Sequence, residues 1–232
     1  MILSVVSFFV LQGHRAALED SWLRRAKGLP PLSLERIAAL ERAFALEPGN
    51  AETALLIAEQ YRWRSWEGED NYPAEARKAM EWFERAGRLD PYDPLSRIGM
   101  GACLDWLEHY AQAEPWFRQA LALDPNGCHT RAMMGWHYYQ IKEYQACIDW
   151  CLKSIATGKT FWAAWMDLAS AYAWRGQNAE AAAAVAELLK LRPGYTVQTL
   201  VQEGSGTSDN PAFRKEFQRI VEGARKAGLP AP

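Results

Sequence analysis

Residues 89–126 read LDPYDPLSRIGMGACLDWLEHYAQAEPWFRQALALDPN, and this stretch opens with Leu-Asp-Pro and closes with Leu-Asp-Pro-Asn. Pro91 and Pro125 lie 34 residues apart, and Pro193 follows 68 residues later, which is two such periods. A fixed period of 34 with a proline at the end of each unit is typical of helix–turn–helix repeats. The sequence therefore predicts an array of helical hairpins.

Within this stretch, small and apolar residues recur at spacings of three and four. They are Met100, Gly101 and Leu104 in the first helix and Ala113, Phe117 and Ala120 in the second. Such spacings place each set on a single helical face. We expect the two helices to approach closely at Gly101 and Ala113, because both residues are small.

The pattern resembles the tetratricopeptide repeat (TPR), and the resemblance covers most of the chain. It implies an all-α fold in which TPR-type helical hairpins stack in a right-handed superhelix with a concave inner surface. We predict an apolar amino-terminal segment at 1–14, a degenerate first hairpin at 15–48, the TPR array at 49–193, and a linker with a carboxy-terminal capping helix at 194–232. The capping helix should carry Phe213, Phe217 and Ile220 on one face.

Composition excludes some classes of function. The formal net charge is −2, and basic residues are scattered among acidic ones. The chain therefore lacks the basic stripe expected for nucleic-acid binding. The apolar fraction of 49% is enough for a continuous core.

The first eleven residues are almost wholly apolar but too few to span a bilayer, which needs about 20 residues. They are interpreted as the tail of a longer membrane helix, as a short anchor, or as a terminal segment that packs on the first hairpin. The basic residues that follow would keep the rest of a tethered chain in the cytoplasm. We therefore expect a cytoplasmic protein, with membrane contact through residues 1–11 as an open alternative.

No residue pattern predicts catalysis, a metal or a cofactor. Cys147 and Cys151 lie four residues apart and could ligate a metal with Cys128 or His129, but both occupy positions where repeats bury small side chains. The acidic loop before Pro73 lacks the ligand spacing of a calcium site. We expect a chain that is not an enzyme and holds no cofactor.

Tryptophan is the main functional clue, since the chain has eleven. Trp63, Trp106 and Trp174 fall at the same repeat position, near the end of the first helix of a hairpin. The TPR resemblance implies that this position and the one before it face the concave groove. The predicted ligand-binding groove consists of Arg62, Trp63, Asp105, Trp106, Trp136, Tyr139 and Trp174.

Two interpretations of these rings remain open. They form an aromatic groove that binds a peptide or stacks on sugar rings, or they fill space between adjacent repeats. The first interpretation predicts a scaffold for protein–protein interaction, with a protein or peptide as the partner.

The chain also resembles, more weakly, the TPR regions of bacterial O-antigen ligase-like membrane proteins. The stretches that carry this resemblance are Ser65–Gly68, Trp82-Phe83, Leu89–Pro91, Cys103–Leu107, Leu123–Gly127 and Met134–Tyr138. It implies an accessory module of a bacterial envelope-polysaccharide system, with polysaccharide as an alternative partner. The catalytic membrane part of such proteins is absent from this sequence, so the resemblance does not imply ligase activity.

Overall fold

The computed structural model describes residues 2–67, 71–158, 162–205 and 211–231. These residues form twelve α-helices: α1 (Ile2–Gly28), α2 (Leu34–Leu46), α3 (Ala51–Glu67), α4 (Tyr72–Leu89), α5 (Pro94–Trp106), α6 (Tyr110–Leu123), α7 (Cys128–Gln140), α8 (Tyr144–Ile155), α9 (Trp162–Trp174), α10 (Asn178–Leu191), α11 (Val197–Ser205) and α12 (Pro211–Lys226). No strand occurs in the described ranges. Helices α1 to α10 pair in sequence as five hairpins, so the predicted all-α architecture of stacked hairpins is confirmed.

Local sequence sets where several helices begin. The Ser33 side chain accepts a hydrogen bond from the Arg36 N–H at 3.1 Å and so caps α2. Asp93 does the same for α5 by accepting from the Leu95 N–H at 3.2 Å, and Pro94 follows it in the first turn.

The turn inside each of three hairpins contains one residue in the left-handed backbone region. These residues are Glu108, Lys142 and Gly176, with φ of 59°, 65° and 74°. They lie at successive intervals of 34 residues, so the repeat extends to the backbone conformation of its turns. Only Gly176 adopts that conformation without a steric cost from Cβ.

Glycines in the first helices permit close contact with the second. A Cβ added at Gly101 would lie 2.7 Å from the Phe117 ring, and one at Gly135 would lie 2.6 Å from the Cys151 Sγ. Both distances are shorter than van der Waals contact. The predicted close approach at Gly101 is therefore present, and the apolar face of α6 fills the space beside it.

The carboxy-terminal helices do not continue the regular array. Helix α12 packs against α9, where Ile220, Val221 and Ala224 are buried. The Val197 N–H donates to the Pro230 carbonyl at 2.7 Å, which ties the end of the described chain to α11. The side chain of Phe213, predicted to share the apolar face of α12, lies outside the described part.

The amino-terminal residues from Ile2 belong to one 27-residue helix, α1, that ends at Gly28. None of the helices in the described ranges is both long and apolar enough to cross a membrane. The contact of residues 1–11 with a membrane stays a prediction.

Candidate functional site

Six of the seven predicted groove residues occupy three different environments. The first is a cluster at the end of α3 and α5. Here Trp63 is 41% exposed, whereas Trp106 is only 6% exposed. The Arg62 guanidinium lies over both rings, 4.4 Å from the Trp63 centroid and 5.4 Å from that of Trp106, and Trp66 packs on Trp106 with ring centroids 5.1 Å apart. An exposed ring and a buried ring therefore stand side by side in this cluster.

The second environment lies beneath α12. Tyr139 is fully buried, and its hydroxyl accepts a hydrogen bond from the Trp174 indole N–H at 3.1 Å. Arg219 of α12 donates to the carbonyl oxygens of Tyr139 and Gln140, at 2.6 and 3.1 Å. The Lys226 ammonium lies 3.7 Å from the centroid of the Trp174 ring. Two of the predicted groove residues, Tyr139 and Trp174, are thus covered by the chain's own helix.

The third environment is the interior. Asp105 is fully buried, and its Oδ1 lies 2.7 Å from the Nδ1 of the equally buried His137. Burial raises the pKa of Asp105 to about 6, and the hydrogen bond with His137 opposes that rise. This carboxylate links α5 to α7 inside the array and does not face the groove surface.

A cavity of about 290 Å³ lies where residues of α3, α5, α7, α9, α11 and α12 meet. Of the seven predicted residues, Arg62, Trp63, Trp106 and Trp136 line it. Its aromatic wall is formed by Trp63, Trp66, Trp106, Trp136, Trp162, Tyr195 and Phe217. Trp162 is 36% exposed and Trp63 is 41% exposed, so both rings of the wall are partly open to solvent. The cavity is therefore accessible and lined mainly by ring faces and edges.

Sequence reasoning missed part of this wall. Trp66 follows Trp63 by three residues, so helical spacing could have placed both on one face. Tyr195 and Phe217 come from outside the regular repeats, where the 34-residue period gives no register. Their positions depend on how α11 and α12 fold back onto the array.

The charged residues beside the cavity are mostly paired. Arg62 donates to the Glu59 carboxylate at 2.6 Å. Glu203 of α11 accepts from Arg192 and from the Tyr195 hydroxyl, each at 2.9 Å. The hydrogen bond from Arg192 lowers the pKa of Glu203. These ion pairs connect residues beside the cavity, and each pair is close to neutral overall.

Asp167 of α9 is the exception. Its side chain lines the cavity, and the residue is 8% exposed. Among the described residues it has neither an ion pair nor a side-chain hydrogen bond. Burial alone raises its pKa to about 8. An isolated carboxyl group on an apolar wall is expensive to ionise, so this site would gain from an arriving cation.

The described ranges contain no group of three or more His, Cys, Asp or Glu side chains that could hold a metal. Cys147 and Cys151 are fully buried with their sulfur atoms 4.0 Å apart, and Cys103 is fully buried as well. Residues 68–70 of the acidic loop considered for a cation lie outside the described residues.

No protein-family model and no curated protein matches the sequence. Solved structures do match. They include PilW, a type IV pilus biogenesis factor (18% identity over 93% of this chain and 88% of that chain, TM-score 0.63). A thermophilic TPR protein of Thermus thermophilus, TTC0263, matches with 16% identity over 88% of this chain and 99% of that chain, TM-score 0.62. YrrB, a TPR protein described as having an unusual peptide-binding site, matches with 17% identity over 82% of this chain and 90% of that chain, TM-score 0.51.

At these identities the likeness shows the fold alone, and that fold is the one of TPR proteins. The TPR architecture predicted from the 34-residue period is confirmed. The weaker resemblance to O-antigen ligase-like proteins stays a prediction.

Proposed function

We propose that this chain, which has the TPR fold, is a non-enzymatic scaffold that binds a partner protein through a peptide segment on its concave aromatic surface. The observation that carries the proposal is the cavity between α3, α5, α7 and α9, whose rim exposes Trp63 and Trp162. Tryptophan, tyrosine and arginine are the residues most enriched in protein-binding hot spots, and all three line this cavity. YrrB, which has the same fold, is described as having a peptide-binding site, and this supports the same use of the fold here.

The shape of the remaining surface favours a peptide in an extended conformation. Helix α12 already covers the part of the surface around Tyr139 and Trp174. The cavity of about 290 Å³ is at the lower end of the size of ligand pockets, which suits individual side chains and leaves no room for a second helix. A peptide strand could place one side chain in the cavity and run along the adjoining rings.

Selection from a random peptide library displayed on phage, with the full chain immobilised, tests this function. Selected peptides would be titrated by calorimetry against the wild-type chain and the variant Trp136→Ala. We expect the variant to bind at least about tenfold more weakly, because hot-spot truncation costs about 2 kcal/mol. Tyr92→Ala is the matched control, since Tyr92 is 84% exposed and does not line the cavity.

Two results would contradict the proposal. One is a library that yields no binder, and the other is a set of binders that tolerate Trp136→Ala as well as Tyr92→Ala. If the peptides fail and a bacterial polysaccharide binds instead in the same titration, the alternative role in an envelope-polysaccharide system would be favoured.

A further inference from the structure

The cavity combines two features that attract the same kind of ligand. Its wall is built mainly from aromatic rings, whose negative faces attract cations at close range. Its carboxyl group, Asp167, is more than nine-tenths buried and has no partner among the described residues. A carboxylate that is largely buried on an apolar wall is stabilised best by a cation delivered to it with a hydrogen-bond donor.

The chain's own cations near the cavity are engaged elsewhere. Arg62 is paired with Glu59, and Arg192 with Glu203. Arg219 of α12 forms an ion pair with Glu216 and donates to the carbonyl oxygens of Tyr139 and Gln140. The described part of the chain therefore supplies no counter-charge to Asp167, and a ligand can supply it.

We propose that the cavity is a specificity pocket for a lysine side chain of the partner peptide, with the alkyl stem against the aromatic wall and the ammonium on the Asp167 carboxylate. This inference rests on the proposed peptide-binding function and names the residue that the peptide must carry.

Lysine fits better than the other polar ligands. One carboxylate accepts from at most two of the five N–H donors of a guanidinium and leaves three without partners on the apolar wall, whereas an ammonium is compact and has three donors in all. The other carboxylate on the wall, Glu203, is already occupied by Arg192 and Tyr195. A neutral sugar would bury several hydroxyl groups against a largely apolar wall, which leaves them without partners.

The raised pKa of Asp167 agrees with this assignment. The shift has burial as its cause and no neighbouring cation that opposes it. Lysine binding would supply the missing cation, and the carboxyl group would give up its proton on binding.

The test uses two blocked pentapeptides as probes, acetyl-Gly-Gly-Lys-Gly-Gly-amide and its norleucine counterpart, which has a neutral side chain of similar length. Each is titrated into the full chain while tryptophan fluorescence is recorded, because several tryptophans line the cavity. We expect the lysine peptide to bind wild type at least about tenfold more tightly than the norleucine peptide.

Asp167→Asn removes the charge with little change in shape and should abolish that preference. Asp149→Asn is the control, because Asp149 is an exposed residue of α8 and does not line the cavity. Both substitutions remove one negative charge from the chain. Because Asp167→Asn removes an unpaired buried acid, we expect this variant to fold.

The proposal would be overturned by equal binding of the two peptides, by a lysine preference that survives Asp167→Asn, or by an arginine peptide that binds more tightly than the lysine peptide. Absence of lysine-peptide binding at millimolar concentration would overturn it too. Library-selected peptides that lose affinity in Trp136→Ala but not in Asp167→Asn would overturn the lysine pocket alone and leave the scaffold function standing.

Discussion

Trp63 and Trp174 occupy the same position of two repeats, yet one faces solvent and the other is held by a neighbouring helix. Trp63 is 41% exposed beside the cavity. Trp174 donates hydrogen bonds to the Tyr139 hydroxyl at 3.1 Å and to the Arg219 carbonyl at 3.3 Å, and Lys226 lies over its ring. The aromatic surface thus has an open part, which lines the cavity and includes Trp63, and a covered part around Tyr139 and Trp174, which lies under α12.

Repeat position therefore determines which face of the helix a side chain occupies, but not whether that face is exposed. Trp106 makes the same point within the open part, because it shares the position of Trp63 and is nevertheless 6% exposed under Trp66 and Arg62. Exposure depends on what packs on top, and this comes from elements outside the repeat period.

The largest effect that tests the comparison is expected from Trp106→Ala. Removal of this buried ring should lower the free energy of unfolding by about 3–5 kcal/mol, since it leaves a cavity between α3 and α5. Trp63→Ala at the same repeat position should cost only about 0.5 kcal/mol, as for most exposed residues. Urea unfolding of both variants measures the contrast, and equal losses would remove the distinction between the two environments.

A smaller loss is expected when the contact between α12 and α9 is overfilled. A Cβ added at Gly223 would lie 2.7 Å from the Ser170 Cβ and 2.9 Å from the Trp174 Nε1. Gly223→Leu should therefore destabilise the chain by about 1–3 kcal/mol. Arg225→Leu, at an exposed position of the same helix, is the control and should change stability by less than about 0.5 kcal/mol. If thermal unfolding shows the same change in stability for both variants, α12 does not pack tightly on the covered part.

The smallest expected effect concerns Asp167, which lies at the border between the two parts. Its folded pKa is raised from 3.8 to about 8, so the folded state binds more protons than the unfolded state between those values. Stability contributed by this group is fully present below about pH 4 and is lost as the pH rises toward 8. Between about pH 5 and about pH 6, Asp167→Asn should lose about 1.4 kcal/mol less stability than wild type, since one pH unit between the two pKa values corresponds to that amount.

The measurement is urea unfolding of wild type and variant at several pH values, read as the difference between the two proteins. That difference isolates Asp167, since groups such as Asp105 and Glu216 titrate in both. If the free energy of unfolding depends on pH in the same way in wild type and in Asp167→Asn, then Asp167 is solvated or already paired.

The hairpin array was predictable from the sequence because the residues that pack the two helices of a hairpin together lie within one repeat. Gly101 and Phe117 occupy fixed offsets within one 34-residue unit, and their contact requires nothing beyond that unit. Helix α11 was not predicted, since it is only nine residues long, begins three residues after Gly194 and contains Gly204. Short segments of this kind take their structure from tertiary contacts, such as the hydrogen bonds of Val197 and Gln198 with the end of the described chain.

The candidate site was only partly predictable for the same reason. Period and spacing identified Arg62, Trp63, Trp106 and Trp136, which belong to repeat helices. Asp167 gave no signal, because an acid on a helix usually faces solvent, and here α12 and the neighbouring hairpins enclose it. A pocket assembled from several helices is a property of their packing, which no single repeat encodes.

The position of α12 in the chain has a consequence for synthesis. A ribosome makes the hairpins from α1 to α10 before α12, and domains generally fold from the amino terminus as they emerge. Until α12 has left the exit tunnel, the nascent array exposes the face of α9 that Ile220, Val221 and Ala224 later cover. Chains truncated before Pro211 would therefore expose an apolar surface that promotes aggregation. Chaperones that bind nascent chains would bind this surface of α9.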